Sequence, residues 1–233
     1  MFNWHIKEKP FLSLLGMGGG GTGLALGGGG VAVTPASWYF DGTDYVACPA
    51  SSTLALGSGD FTIEMWIKPD DTSQRCWIGW SGDHPMFEYD GGFRWYSANG
   101  GGIDLKGGTI STGTWQHIAV TRSGLGSNNI SVYKSGTRVA NGTDTLNFTN
   151  NQPYLGSRNN TSTKFKGYIS NLRVVKGSAF YSGPTISVPT EPLTAIGGTQ
   201  LLTFQNDTLI DNSTNNHSLT NNGAVYSTDD PFS

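Results

Sequence analysis

The stretch FTIEMWIKP, residues 61–69, alternates apolar and polar side chains along its length. Its odd positions are apolar: Phe61, Ile63, Met65 and Ile67. Its even positions are Thr62, Glu64, Trp66 and Lys68. Successive side chains of a β-strand point to opposite faces of a sheet, so this period of two predicts a half-buried strand. Glu64 is then expected to lie on the solvent face.

The stretch MFEYDGGFRWYS, residues 86–97, predicts a β-hairpin, with Asp90-Gly91-Gly92 as its loop. That loop sets three cross-strand pairs: Tyr89 with Phe93, Phe87 with Trp95, and Glu88 with Arg94. The aromatic pairs are expected to face the core. The ion pair is expected to face outward.

Further strand patterns follow at short intervals, in residues 115–124, 130–142, 153–156 and 165–175. The second of these turns at Ser135-Gly136, which predicts a contact between Val132 and Val139. The prolines between residues 178 and 192 exclude a central strand there. A last strand is expected at Leu201–Phe204, with short extended pieces near Ser218 and Ala224. With no helical pattern between the strands, the chain is predicted to be an all-β antiparallel sandwich or jelly roll.

Composition excludes several classes of function. Of the 233 residues only 13% are charged, the net charge is -3 and 34 residues are glycine. Such a surface carries no basic stripe for nucleic acid or for an anionic membrane. Two cysteines do not make a disulfide scaffold, so Cys48 and Cys76 are predicted to be buried thiols. The N-terminal apolar run is too short and too rich in glycine for stable membrane insertion, and cleavage as a signal peptide is not expected.

The strand segments also carry a family resemblance. Six segments, taken in chain order, resemble laminin-G-like domains of the concanavalin A-like lectin/glucanase superfamily. They are YFDGTDYV, FTIEMWIKP, WQHIAVTRSG, ISVYKSGTRVANG, LGSRNN and FKGYISNLRVVKG. The resemblance covers roughly residues 38 to 182 and implies a concanavalin A-like antiparallel β-sandwich. The tail, residues 200–233, looks like a segment that precedes the FDG strand in many such domains. The resemblance therefore implies a circular permutation, with Leu201–Phe204 beside the last main strand.

The first 36 residues do not resemble the sandwich. They hold the glycine-rich stretch LSLLGMGGGGTGLALGGGG, Leu12–Gly30. Glycine permits close backbone approach, so we expect an extended docking arm over residues 1–36, joined to a sandwich over residues 37–233. The side chains expected to dock on a partner are the apolar anchors Phe2, Trp4, Ile6, Phe11, Leu12, Leu14, Leu15 and Met17.

The glycine-rich head and the LLT…IDNST tail are similar to virion proteins of marine bacteriophages, particularly those infecting cyanobacteria. The resemblance implies a virion component, assembled in the host cytoplasm and present as a homo-oligomer or in several copies. It would contact tail, portal or capsid proteins through the arm and host-surface polysaccharide through the sandwich. A tail fibre or receptor-binding appendage is expected, with a capsid decoration protein as the second possibility. Two rival functions on the same fold are a polysaccharide-degrading enzyme and a bacterial adhesion module.

Catalysis is not expected, because glycosidases need paired carboxylates and the strand at residues 61–69 offers Glu64 alone. Exposed aromatic rings stack on sugars, so Trp77, Trp80 and His84 are the candidate glycan-binding residues. No cofactor is expected. The weak candidates for Ca²⁺, an ion bound by hard oxygen ligands, are the loop residues Asp83, Asp90 and Asp104.

Overall fold

A computed structural model of the chain describes residues 36–82 and 84–233. These residues contain fifteen β-strands and two short 3₁₀ helices, Ser52–Leu54 and Ala98–Gly100. In chain order the strands are β1 (Ser37–Asp41), β2 (Tyr45–Ala47), β3 (Phe61–Pro69), β4 (Arg75–Trp80), β5 (Met86–Tyr89), β6 (Phe93–Tyr96), β7 (Asp104–Gly107), β8 (Gln116–Arg122), β9 (Ile130–Lys134), β10 (Thr137–Gly142), β11 (Pro153–Leu155), β12 (Lys166–Lys176), β13 (Thr199–Thr203), β14 (Thr220–Asn222) and β15 (Val225–Ser227). Within this part of the chain no helix is long and apolar enough to cross a membrane.

The described strands form two antiparallel sheets packed face to face. Sheet I has the order β10-β9-β8-β3-β12-β1-β15, with β13 also paired to β12. Sheet II has the order β14-β2-β11-β4-β5-β6-β7. The predicted all-β sandwich is confirmed.

The hydrophobic core lies between the sheets. The odd positions of β3, residues 61 to 67, are fully buried in it, as the alternation predicts. They meet inward-facing aromatic side chains of sheet II. For example, the ring centroids of Phe61 and Trp95 are 5.3 Å apart. The period of two thus decides which side of each strand builds the core.

The predicted hairpin at residues 86–97 is confirmed in register, because Phe87 pairs with Trp95 and Glu88 with Arg94. The turn between β9 and β10 also lies where it was predicted, at Ser135 and Gly136, both with positive φ. The contact predicted between Val132 and Val139 is wrong. A bulge between residues 138 and 140 shifts the register by one residue, so Val132 pairs with Ala140.

The C-terminal segment is part of the sandwich. β13 pairs with β12, which confirms the predicted place of Leu201. β14 extends sheet II beside β2, and β15 extends sheet I beside β1. The short link between β14 and β15 therefore connects the outer edges of the two sheets.

β13 and β1 lie end to end along the same edge of β12. β1 pairs with residues 166–169 of β12, and β13 pairs with residues 172–175. At the junction the Asn171 N–H donates to the Phe204 carbonyl at 3.2 Å, and the Ser170 hydroxyl donates to the Ala36 carbonyl at 2.5 Å. Joining residue 204 to residue 37 would give one continuous strand beside β12, as a circular permutation requires. Ala36 is buried at this junction, so it belongs to the sandwich rather than to the predicted arm.

Candidate functional site

The structure places Trp77 and Trp80 in the core. Neither side chain is exposed. Trp77 stacks on Phe93 with ring centroids 5.6 Å apart, and the Trp80 indole N–H donates to the Leu54 carbonyl at 2.8 Å. Their ring faces are covered by protein, which corrects the expectation that they stack on a sugar. A bulge between residues 76 and 78 breaks the alternation that would have marked the faces of β4.

His84 lies at the rim of the sandwich and is partly buried. Its ring Nδ1 is 2.8 Å from the Gly82 carbonyl, and its own carbonyl accepts a hydrogen bond from Asn150 at 2.6 Å. A side chain at Gly100 would contact the imidazole ring, so this rim is tightly packed. Asp83, the neighbouring Ca²⁺ candidate, lies outside the described residues.

The other two Ca²⁺ candidates, Asp90 and Asp104, both bind the guanidinium group of Arg94. Arg94 donates to Asp104 at 2.7 Å and to Asp90 at 2.9 Å. The hydrogen bond from Arg94 lowers the pKa of Asp104, so this carboxylate is ionised at neutral pH. Across residues 36–82 and 84–233 no group of three or more His, Cys, Asp or Glu side chains is placed to hold a metal ion.

These carboxylates belong to a polar surface on the outer face of sheet II, here called the polar face. The cross-strand register aligns one row of residues across four strands: Tyr154, Gly79, Met86 and Tyr96. A second row contains Cys76, Glu88, Arg94 and Lys106. Tyr154 and Tyr96 are partly exposed. Three strand spacings, about 14 Å, separate them.

The centre of the polar face is an ion-pair network around Glu88. Glu88 has no exposed side-chain surface, and its carboxylate binds Arg94 at 2.8 Å and Arg158 at 3.3 Å. The Arg158 side chain is 23% exposed. Its backbone lies directly against Gly79, where an added Cβ would come within 2.4 Å of the Arg158 carbonyl oxygen. Glycine at position 79 is therefore what lets the loop at residues 157–164 rest on the sheet.

Tyrosine rings flank this centre on both sides. On one side Tyr45 and Tyr154 pack with ring centroids 6.0 Å apart, and the Lys164 ammonium lies 4.9 Å from the Tyr45 ring. On the other side the Arg94 guanidinium lies 4.2 Å from the Tyr96 ring, whose hydroxyl donates to Asn99 at 2.7 Å. These neighbours hold the rings in position.

The polar face combines stacking surfaces, fixed donors and fixed acceptors within one patch, and that combination suits a polyhydroxylated ligand. The interpretation of the sequence missed Tyr45, Tyr154 and Arg158. Along their strands, the partly exposed Tyr45 and Tyr154 alternate with buried residues. That period of two is the sequence signal that could have identified them. Arg158 follows β11 in a loop, where no period exists.

A second polar cluster lies on the outer face of sheet I, and its central carboxylate is closed to solvent. Glu64 has no exposed side-chain surface, which corrects the expectation that it faces solvent. Its carboxylate accepts hydrogen bonds from Arg173 at 2.5 Å and Tyr181 at 2.6 Å, and lies 3.1 Å from the His117 Nε2. Burial acts to raise the pKa of Glu64, but the hydrogen bond from His117 and the charge of Arg173 outweigh it and lower the pKa. These four residues are called the buried tetrad.

The predicted docking side chains, Phe2 to Met17, lie outside the described residues, as do residues 1–35 of the predicted arm.

Comparisons with known proteins agree with the geometry. A laminin G family model, described as "Concanavalin A-like lectin/glucanases superfamily", matches residues 40–179, more than half of the chain. No curated protein matches at a significant level.

Two solved structures share the fold at low sequence identity, and a third is similar over part of the chain. A heptameric SAP-like pentraxin from Limulus polyphemus is 11% identical, with a TM-score of 0.59 over 84% of this chain and 96% of its own. A Bacteroides ovatus protein assigned to carbohydrate binding is 17% identical, with a TM-score of 0.56 over 84% of this chain and 60% of its own. Mouse laminin alpha1 domains LG4-5 are 20% identical, with a TM-score of 0.46 over 68% of this chain and 48% of theirs. By the match of more than half its length, this chain belongs to the concanavalin A-like lectin/glucanase superfamily.

Proposed function

We propose that this protein is a bacteriophage virion component, a tail fibre or receptor-binding appendage, whose sandwich binds host-surface polysaccharide through the polar face. The observation that carries the binding proposal is the placement of Tyr154 and Tyr96 on either side of the Glu88 network. Two partly exposed rings on strands about 14 Å apart suit several units of a sugar chain, because the apolar face of a pyranose packs on an aromatic ring.

Charge on the polar face supports a polar ligand rather than an apolar one. Arg158, Lys106 and Lys164 present donors, while Asp90 and Asp104 present acceptors. Arg94 holds both Asp90 and Asp104, and Glu88 holds Arg158, so a bound sugar would meet a preorganised set of hydrogen-bonding partners.

A binding assay with matched tyrosine variants tests the proposal. Purified protein is applied to an array of bacterial surface polysaccharides, and Tyr154→Ala is compared with Tyr39→Ala. Tyr39 is a suitable control because it is also a partly exposed strand tyrosine in a tilted pair, with Tyr168 at 4.9 Å, but it lies on sheet I. Tyr154→Ala is expected to weaken binding at least about fivefold, since an aromatic contact contributes about 1 kcal/mol. Equal binding by both variants would place the ligand elsewhere.

The virion proposal rests on the resemblance of the glycine-rich head and of the tail to virion proteins. In this proposal residues 1–35 anchor the protein to a tail, portal or capsid subunit, with several copies on each particle. Deleting residues 1–30 is expected to leave a folded sandwich that no longer enters particles. Normal occupancy of the truncated protein in purified particles would refute the anchoring role. Imaging of the anchored arm would separate a tail position from a capsid position.

We also propose that the protein binds sugars without cleaving them. Glu64 and His117 are an acid and a base in contact, but neither has exposed surface through which a substrate could reach them. Release of reducing ends from any polysaccharide by the pure protein would overturn this proposal.

A further inference from the structure

A long segment crosses the outer face of sheet I and returns. This crossing segment, residues 177–196, bonds to four neighbouring strands in turn. The Thr62 hydroxyl of β3 donates to the Ser178 carbonyl at 3.0 Å, and the Thr121 hydroxyl of β8 donates to the Tyr181 carbonyl at 3.3 Å. Tyr133 of β9 donates to the Gly183 carbonyl at 3.1 Å. The edge strand β10 is bonded to residue 184 through its own backbone, and the turn before it is bonded to residue 186.

The buried tetrad holds the crossing segment from below. The Tyr181 hydroxyl donates to Glu64 at 2.6 Å, and Arg173 donates both to Glu64 and, at 2.8 Å, to the Thr194 carbonyl. The segment is therefore fixed on its outward and its return course. A surface fixed in this way loses little conformational entropy when a ligand binds.

The outward course surrounds a hollow of about 260 Å³ that opens to solvent. Its lining residues are Phe180, Tyr181, Ser182, Thr185, Ile186 and Ser187. Phe180 is 45% exposed, so part of its ring is open to solvent. None of the six lining side chains carries a formal charge. The nearby Arg173 guanidinium, 5.8 Å from the centre of the Phe180 ring, is already compensated by Glu64.

We propose that this hollow is a second carbohydrate site, which takes a single neutral pyranose unit. The Phe180 ring gives a stacking surface for the apolar face of the sugar, and the hydroxyls of Ser182, Thr185 and Ser187 exchange hydrogen bonds with its hydroxyls. A uronic acid is disfavoured, because its carboxylate would lose water without finding an uncompensated cation. This site lies on sheet I, whereas the polar face lies on sheet II, so the two bind independently.

The test uses the full-length, ¹⁵N-labelled protein and follows amide chemical shifts during titration. The probes are the methyl glycosides of glucose, galactose and mannose, with glucuronic acid as the charged counterpart. At least one neutral glycoside is expected to give saturable shifts at residues 178–187 in the millimolar range typical of weak ligands, and glucuronic acid to bind there at least tenfold more weakly.

Matched variants separate this site from other surfaces. Phe180→Ser is expected to weaken neutral glycoside binding tenfold or more at the crossing segment. Leu125→Ser removes a side chain of similar exposure, 53%, outside the hollow, and is expected to leave that affinity unchanged. Tyr154→Ala is also expected to leave it unchanged, whatever its effect on the polar face.

Three results would overturn the second site: no shifts at residues 178–187 with any neutral glycoside, unchanged affinity in Phe180→Ser, or glucuronic acid binding as tightly as the neutral sugars. Shifts confined to the polar face would count against it as well, while leaving the proposed function intact.

Discussion

Replacing Glu64 by Gln keeps the shape of a buried side chain and removes its charge. The carboxylate lies between Arg173, His117 and Tyr181, and the Arg173 side chain is only 9% exposed. Removing one partner of a buried ion pair leaves the other charge uncompensated and costs about 3–5 kcal/mol. Gln retains one acceptor oxygen for these donors, so we expect a loss near the lower limit, about 3 kcal/mol. In a domain of this size that loss corresponds to a fall in Tm of roughly 6–12 °C.

The effect of Glu64→Gln also depends on pH in a defined direction. The folded-state pKa of Glu64 is lowered below its ordinary value of 4.5, so its ionised form contributes stability above that pH. This contribution is lost as the pH falls through the folded-state pKa. The difference in Tm between wild type and variant is therefore expected to be largest near pH 7 and to shrink below about pH 4.5.

Thermal unfolding followed by circular dichroism at pH 7 and pH 3 measures both effects. Glu191→Gln is the matched control, because Glu191 lies on the same crossing segment but is exposed. A further Arg173→Met change in the Glu64→Gln protein is expected to recover part of the loss, since it removes the uncompensated charge. The reasoning fails if Glu64→Gln unfolds at the same temperature as Glu191→Gln, or if its deficit is as large at pH 3 as at pH 7.

Two further predictions concern backbone and thiol groups. Gly223→Ala is expected to cost about 2 kcal/mol or more in urea unfolding, because φ is 108° there and an added Cβ would lie 1.9 Å from the Asp44 carboxylate. Gly183→Ala, with positive φ but open space around it, is expected to cost only about 1 kcal/mol, and equal losses would contradict the steric argument. Cys48 and Cys76 are buried, and burial raises the pKa of the Cys48 thiol, so iodoacetamide at pH 8 is expected to modify neither before unfolding. Rapid native alkylation, detected by mass spectrometry, would show that one of them is accessible.

The parts of the fold that the residue pattern alone predicts correctly are those with local determinants. The loop of the hairpin at residues 86–97 sets the register of its two strands. Ser135 and Gly136 set the position of the turn between β9 and β10. The failed pair Val132–Val139 shows the limit of this reasoning, since a single bulged residue changes every later pairing without a clear sequence signal.

The candidate site was less predictable because distant segments decide which surfaces are exposed. Glu64 has the pattern of a solvent-facing residue, and the segment that buries it comes more than 110 residues later in the chain. Trp80 looks suited to stacking on a ligand, but the Leu54 carbonyl, 26 residues earlier, accepts its N–H in the core. A period of two tells which residues share a face. It does not tell which outer face another segment covers.

The pairing of β1 with both β12 and β15 also has a consequence for folding during synthesis. The Ser37 hydroxyl bonds to the carbonyl of Asp229, 192 residues further along the chain. At roughly 5–20 residues per second, the ribosome needs about 10–40 s to make that interval. Throughout this time β1 has an unpaired edge, which is a site for aggregation or for chaperone binding. The sandwich can therefore close only after β15 has been synthesised, and its yield depends on how well β1 is protected until then.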